Sequence, residues 1–152
     1  MEREKNIFDK IGSLIPGYRG YAEREGRRQC DKLLREGIVS IMEQCEKIIS
    51  NQIDESIKDT GRIKTLETYR KRINTLASKI KFSPYGASAF FSNSQIKEAE
   101  LKQIYEKDLA ILEKVALLKT TTKNKEPKDI SLEITSIEEV LEDRNQFIKE
   151  FK

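Results

Sequence analysis

Two ionisable residues stand where apolar residues are expected. Leu101, Ile104, Asp108, Ile111, Val115 and Leu118 step by threes and fours, and so do Ile130, Ile134, Ile137, Leu141, Arg144, Ile148 and Phe151. Both series read as core stripes of packed helices. A carboxylate and a guanidinium on two such stripes would form an ion pair that fixes helix register. The other readings are a ligand anchor, or two side chains that reach water separately.

A second chemically rich stretch is Ile15 to Gln29, "IPGYRGYAEREGRRQ". Tyr18, Arg19, Tyr21, Arg27 and Arg28 are materials for stacking and phosphate contact. Glu23 and Glu25 interleave with them, however, and Glu25 with Arg28 is an ordinary surface pair on a helix. Ala22, Gly26 and Cys30, spaced by four, suit close packing of another segment. The stretch therefore reads as a docking element before a nucleic-acid site.

Catalysis has little to work with. The chain has no histidine, which removes Ser-His-Asp and Cys-His arrangements, histidine-containing zinc sets and histidine acid–base work. Two cysteines cannot make a four-cysteine zinc site, and neither common phosphate-loop motif occurs. A carboxylate metal centre in a bundle needs several converging acids, and Asp108 alone breaks a core stripe. The expectation is no enzyme, no metal and no cofactor.

The elements that hold these residues follow from composition and periodicity. At 152 residues the chain fits one domain with a real core. It is 37% hydrophobic and 36% charged, with seven glycines, three prolines and no tryptophan, which suits helices better than many short strands. Residues 1–17 form a short amphipathic segment (Ile7, Phe8, Ile11, Leu14, Ile15) interrupted by Pro16 and Gly17. One long first helix is expected from about Tyr18 to Lys58, carried by Cys30, Leu34, Ile38, Ile41, Cys45, Ile48, Ile53 and Ile57, with Gly37 at a bend or close contact. Gly61 is expected to close it, and Asp59 or Thr60 to cap a second helix over 61–81. "KFSPYGASAFFSNS" reads as an irregular loop that folds onto the core, with Ser92 or Ser94 capping a third helix over 95–118. Residues 119–128 read as a flexible linker, and 129–151 as the last helix, or a later start at Thr135. The fold class is all-α: an antiparallel up-and-down bundle of about four helices with a long first helix whose N-terminal part overhangs.

Charge is uneven although the whole chain carries only +3. Arg62 to Lys81 carries a net +6 and Glu133 to Phe151 a net −4. Either the two helices are neighbours, or the basic one offers an outer face, Lys64 and Lys71, to an acidic partner or to phosphates. An up-and-down bundle also gathers Tyr18, Tyr21, Phe82, Tyr85, Phe90, Phe91, Phe147 and Phe151 at one end. That end is the candidate interaction surface (Tyr18, Arg19, Tyr21, Arg27, Arg28, Tyr85, Phe90, Phe91), unless the aromatics plug the bundle.

No apolar run approaches a membrane span or a signal-peptide core. On one helix Cys30 and Cys45 would lie about 22 Å apart, too far for a disulfide, so the chain reads as cytoplasmic with reduced thiols. "IPGYRGY", "DKLLRE" and "PYGASAFF" with "LKQIYEKDL" resemble a family of small bacterial all-helical proteins of uncharacterised function. That family has a Pro-Gly-Tyr-x-Gly-Tyr opening, then Tyr-Gly with a phenylalanine, then a leucine-tyrosine-aspartate helix. Matching positions are Pro16 to Tyr21, Tyr85, Gly86, Phe90 or Phe91, Ile104, Tyr105 and Asp108, within residues 14–118. The alanines and serines near Ala87 depart from the pattern. The resemblance implies a helical fold and brings no activity.

The functional expectation is a non-catalytic scaffold or adaptor with a protein partner, able to dimerise through the overhang. The alternatives are peripheral attachment to a membrane surface through residues 4–15, and nucleic-acid binding through the basic second helix.

Overall fold

The computed structural model describes residues 2–82, 89–92, 95–124 and 127–151, without the side chains of residues 2–6, 8, 127 and 128. Tyr85 and Gly86, and the Ser94 cap, lie outside the described residues. Five α-helices follow one another: α1 (Glu2–Leu14), α2 (Arg27–Glu55), α3 (Thr60–Lys81), α4 (Glu98–Lys123) and α5 (Pro127–Glu150). Short 3-10 turns occupy Arg24–Gly26 and Ala89–Phe91. No strand occurs among the described residues, so the chain is all-α.

The apolar stripes close a ring of neighbours: α2 packs on α3 and α4, and α5 packs on α4 and α3. Their shared core includes Leu34, Ile38, Met42, Ile49, Leu66, Ile73, Ile104, Ile111 and Ile137. The fifth helix, α1, lies on α4 and buries Ile11. Ile15 is buried as well. The apolar face offered for membrane attachment is thus spent inside the protein at Ile11 and Ile15, while Leu14 is exposed.

The expected first helix is shorter than its pattern. Gly17 and Gly20 have φ of 90° and 83°, a left-handed backbone that no α-helix contains and that side-chain-bearing residues resist. The chain therefore turns through 15–26 and becomes helical only at Arg27. With α2 at 29 residues and α4 at 26, their lengths differ by about 5 Å and no helical overhang exists. A dimer built on that overhang loses its basis.

Gly37 marks a close contact. A Cβ placed there would lie 1.9 Å from Ile15 Cδ1, so Ile15 fills the notch that the glycine leaves in α2.

Helix ends depart from the sequence reading in physical ways. Ser56 N–H bonds back to Ile53 O and ends α2, while Gly61 sits in the first turn of α3. Asp59 caps α3 by accepting from Arg62 N–H at 3.0 Å. Glu100 accepts from Lys97 N–H at 3.0 Å and opens α4, and Ser92 instead donates to Ala89 O within its own turn. The expected linker is mostly helix. Thr121 and Thr122 are buried, Thr122 O accepts from Gln52 Nε2, and Thr121 donates to Glu133 at 2.7 Å. These bonds carry α4 through Lys123, and α5 begins at Pro127, where a missing N–H costs nothing.

Gly37→Ala is expected to destabilise the protein by about 1–3 kcal/mol through overpacking. Ile15→Val deletes the clashing methyl group, so the double variant should lose less than the two single losses combined. Denaturant unfolding of the four proteins measures this, and additive losses would show that the two sites do not meet.

Candidate functional site

The centre of the molecule is polar. Asp108 on α4 is fully buried, and so, to within a few per cent, are Asp31 on α2 and Arg144 on α5. Arg144 Nε donates to Asp108 Oδ1 at 2.5 Å, and its Nη2 donates to Asp31 Oδ1 at 2.7 Å and to the Tyr21 hydroxyl at 2.9 Å. The other Asp108 oxygen accepts from the hydroxyls of Tyr18 at 2.8 Å and Tyr21 at 2.6 Å. Asp31 Oδ2 lies 2.9 Å from Arg35 Nε, and Arg35 Nη1 donates to Ile80 O at the end of α3. Two carboxylates and two guanidinium groups therefore balance in charge, and the chain of contacts touches α2, α3, α4, α5 and the 15–26 loop.

The two left-handed glycines explain how the tyrosines arrive. Turning at Gly17 and at Gly20 lets both Tyr18 and Tyr21 face inward while Arg19 between them stays exposed. Tyr21 N–H donates to the Tyr105 hydroxyl at 3.1 Å, and the two rings stack at 6.0 Å. Arg27 is also buried and clips three loop positions, donating to Tyr21 O, Phe90 O and Ser92 O. Around it Phe90 meets Tyr21, Phe91 and Phe151 edge-on at 5.0–5.7 Å.

This corrects the proposed interaction surface. Tyr18, Tyr21, Arg27, Phe90 and Phe91 are buried and plug the bundle end, and of the described members of that set only Arg19 and Arg28 are exposed. The Arg28 guanidinium covers the Phe91 ring at 5.9 Å. Asp108 and Arg144 do form the ion pair that their positions suggested. Asp31, Arg35 and Tyr105 complete the network. A signal for the first two was present, because Arg27, Asp31 and Arg35 alternate in sign at spacings of four beside the Cys30–Leu34–Ile38 stripe.

Electrostatics match a structural network. Burial works against charge on Arg144, but Asp108, Tyr21 and Asp31 outweigh it and hold the guanidinium protonated. Burial pushes the Asp108 carboxyl up, and Arg144 and the tyrosine hydroxyls pull it back. Burial, then the Asp108 charge, pushes the Tyr18 and Tyr21 hydroxyls well above their ordinary value. Burial, aided at Cys30 by Asp108, pushes the free thiols of Cys30 and Cys45 up to about 11, which keeps them protonated near neutral pH and poor as nucleophiles. Among the described residues no group of three or more potential ligands could hold a metal ion.

The open feature lies on the other side of the network. A groove of about 650 Å³ runs between α3 and α5. Its floor is apolar (Leu34, Ile38, Leu76, Ile80, Ile111 and Leu141), and Arg35 and Arg144 of the network also border it. Lys71, Arg72 and Lys79 stand on the α3 wall and Glu138 and Glu142 on the α5 wall. Arg72 crosses to Glu138 at 2.9 Å, so the basic and acidic helices are neighbours and partly answer each other. Lys64 and Lys71 are both exposed, but only Lys71 borders the groove.

Removing one member of a buried pair leaves the other charge stranded, at about 3–5 kcal/mol. Asp108→Asn and Arg144→Met should each cost that much, and the double variant less than their sum. Calorimetric or denaturant unfolding decides it. Alkaline titration gives an independent check. A hydroxyl whose folded pKa is raised adds stability that is present below its unfolded value, about 10, and is lost as pH rises beyond it. Tyrosinate absorbance from Tyr18 and Tyr21 should therefore appear only together with loss of helical circular dichroism. Ionisation of every tyrosine in a chain that stays helical would contradict their burial on Asp108.

Comparison with protein families, curated proteins and solved structures finds no match for this chain. Any functional reading rests on its own geometry.

Proposed function

We propose that the protein is a non-catalytic interaction module whose working surface is the α3–α5 groove, used to hold an element of another protein in the cytoplasm. One observation carries this reading: a groove of about 650 Å³ with an apolar floor and charged walls. A concavity of that size is within the range that binds ligands. The network beneath gives it a rigid floor, because Arg35 and Arg144 are held by carboxylates of α2 and α4. No helix among the described residues is long and apolar enough to cross a membrane. The kinship with small bacterial helical proteins stands as part of the same proposal and adds no activity to it.

The test is a pull-down of the tagged protein from its native lysate after nuclease treatment. Thr75 is exposed on the groove wall, and Thr75→Tyr occupies the space without replacing a core side chain. A partner present with the wild type and with Lys64→Glu, and lost with Thr75→Tyr, is the expected outcome. A partner retained equally by all three would remove the groove from the interaction. A partner set that vanishes with nuclease would transfer the function to the basic face of α3 and nucleic acid.

A further inference from the structure

The groove has a shape and a charge pattern that narrow its occupant. Its α3 side runs from Thr68 through Lys71, Arg72, Thr75 and Lys79 to Ile80 at the floor, one face of the helix met once in each turn. Twelve residue steps along a helix cover about 18 Å, or three turns. A site of this kind, walled by two helices and floored by apolar side chains of those helices and of α2 and α4, is the geometry in which a third amphipathic helix lays down its apolar face.

Charge decides which helix. On the α5 wall Glu138 is occupied by Arg72. Lys71 and Lys79 on the opposite wall are exposed and form no ion pair within 4 Å among the described residues, although Glu67, which pairs with Arg70, lies close enough to feel the Lys71 charge. They are eight residues apart, which places them about 12 Å apart along the helix axis, on one side of the groove. Glu142 on the other wall repels acidic groups from that side. We infer that the groove binds an amphipathic helix of a partner protein that carries acidic residues two turns apart along the edge facing α3. The apolar face of that helix sits over Leu76, Ile80 and Leu141, and its carboxylates pair with Lys71 and Lys79. This inference rests on the groove being the working surface and specifies what enters it.

The probes are three synthetic helical peptides of about four turns with the same leucine stripe. One edge carries two glutamates, two glutamines or two lysines at positions i and i+7, and the opposite edge is uncharged. Fluorescence anisotropy against the full chain reads their affinities. The glutamate peptide should bind about three- to tenfold more tightly than the glutamine peptide, as expected for two partly exposed ion pairs, and the lysine peptide more weakly still. The preference should shrink as salt rises, and it should disappear in the Lys71→Glu, Lys79→Glu double variant. Both lysines are exposed, so circular dichroism should show that variant folded. Thr75→Tyr should abolish binding of all three. Equal binding of the three peptides would overturn the acidic-edge assignment and leave the groove as an apolar interaction site. Failure of all three, alongside a lysate partner that Thr75→Tyr removes, would overturn the helix and keep the module. Failure of all three with no groove-dependent partner would overturn both.

Discussion

The carboxylate of Asp108 is the constraint around which this molecule is arranged. An ionised group with no access to water is tolerated only when its oxygens are filled by donors and its charge is met. Arg144 and two tyrosine hydroxyls do both. Those donors come from two distant parts of the chain, the 15–26 loop and α5, and each has to be aimed. Arg144 brings Asp31 with it, Asp31 brings Arg35, and Arg35 reaches the end of α3 at Ile80. Apolar stripes alone would let helices slide by a turn at small cost. A set of buried charges that matches in only one arrangement does not.

The 15–26 loop shows how local chemistry serves that arrangement. A helix would have spaced Tyr18 and Tyr21 around one cylinder. Two left-handed glycines instead deliver both hydroxyls to one carboxylate oxygen, and Ile15 keys the start of the loop into the notch at Gly37. The Ile-Pro-Gly-Tyr-Arg-Gly-Tyr run is thus a structural device, with only Pro16 and Arg19 turning side chains outward. Residues that look ready for binding in a linear reading are consumed by the interior, and the surface available for a partner arises elsewhere, where α3 and α5 lean over the network without filling the space between them.

Much of the helical architecture was legible in the sequence because it rests on periodicity. The stripes through Asp108 and Arg144 identified their helices and marked the pair, since a charge inside a regular stripe has few places to go. The opposite charges of α3 and α5 signalled their adjacency, which Arg72 and Glu138 realise. The loop geometry was hidden because the 18–26 stretch also has acceptable helical spacing, and only the backbone angles at Gly17 and Gly20 rule a helix out. The threonines at 120–122 read as a linker by composition, while their hydroxyls bond within and between helices. The groove was invisible because it is defined by the distance between two stripes, which periodicity does not report. Of the aromatics expected at one end of the bundle, Tyr18, Tyr21, Phe90, Phe91, Phe147 and Phe151 do meet, while Phe82 stands exposed; a list of aromatic residues does not say which face outward and which face each other.

The bond between Tyr21 and Arg144 joins residues 123 positions apart. A ribosome adding about 5–20 residues per second needs on the order of ten seconds to make that stretch. During that interval the first helix and its tyrosine loop exist without their anchor, and Asp108, once made, has no guanidinium to meet it. Closure of the network therefore waits until α5 brings Arg144 to its partners. A chain cut before Arg144 keeps Asp31 paired with Arg35 but leaves the buried Asp108 with no guanidinium to meet its charge.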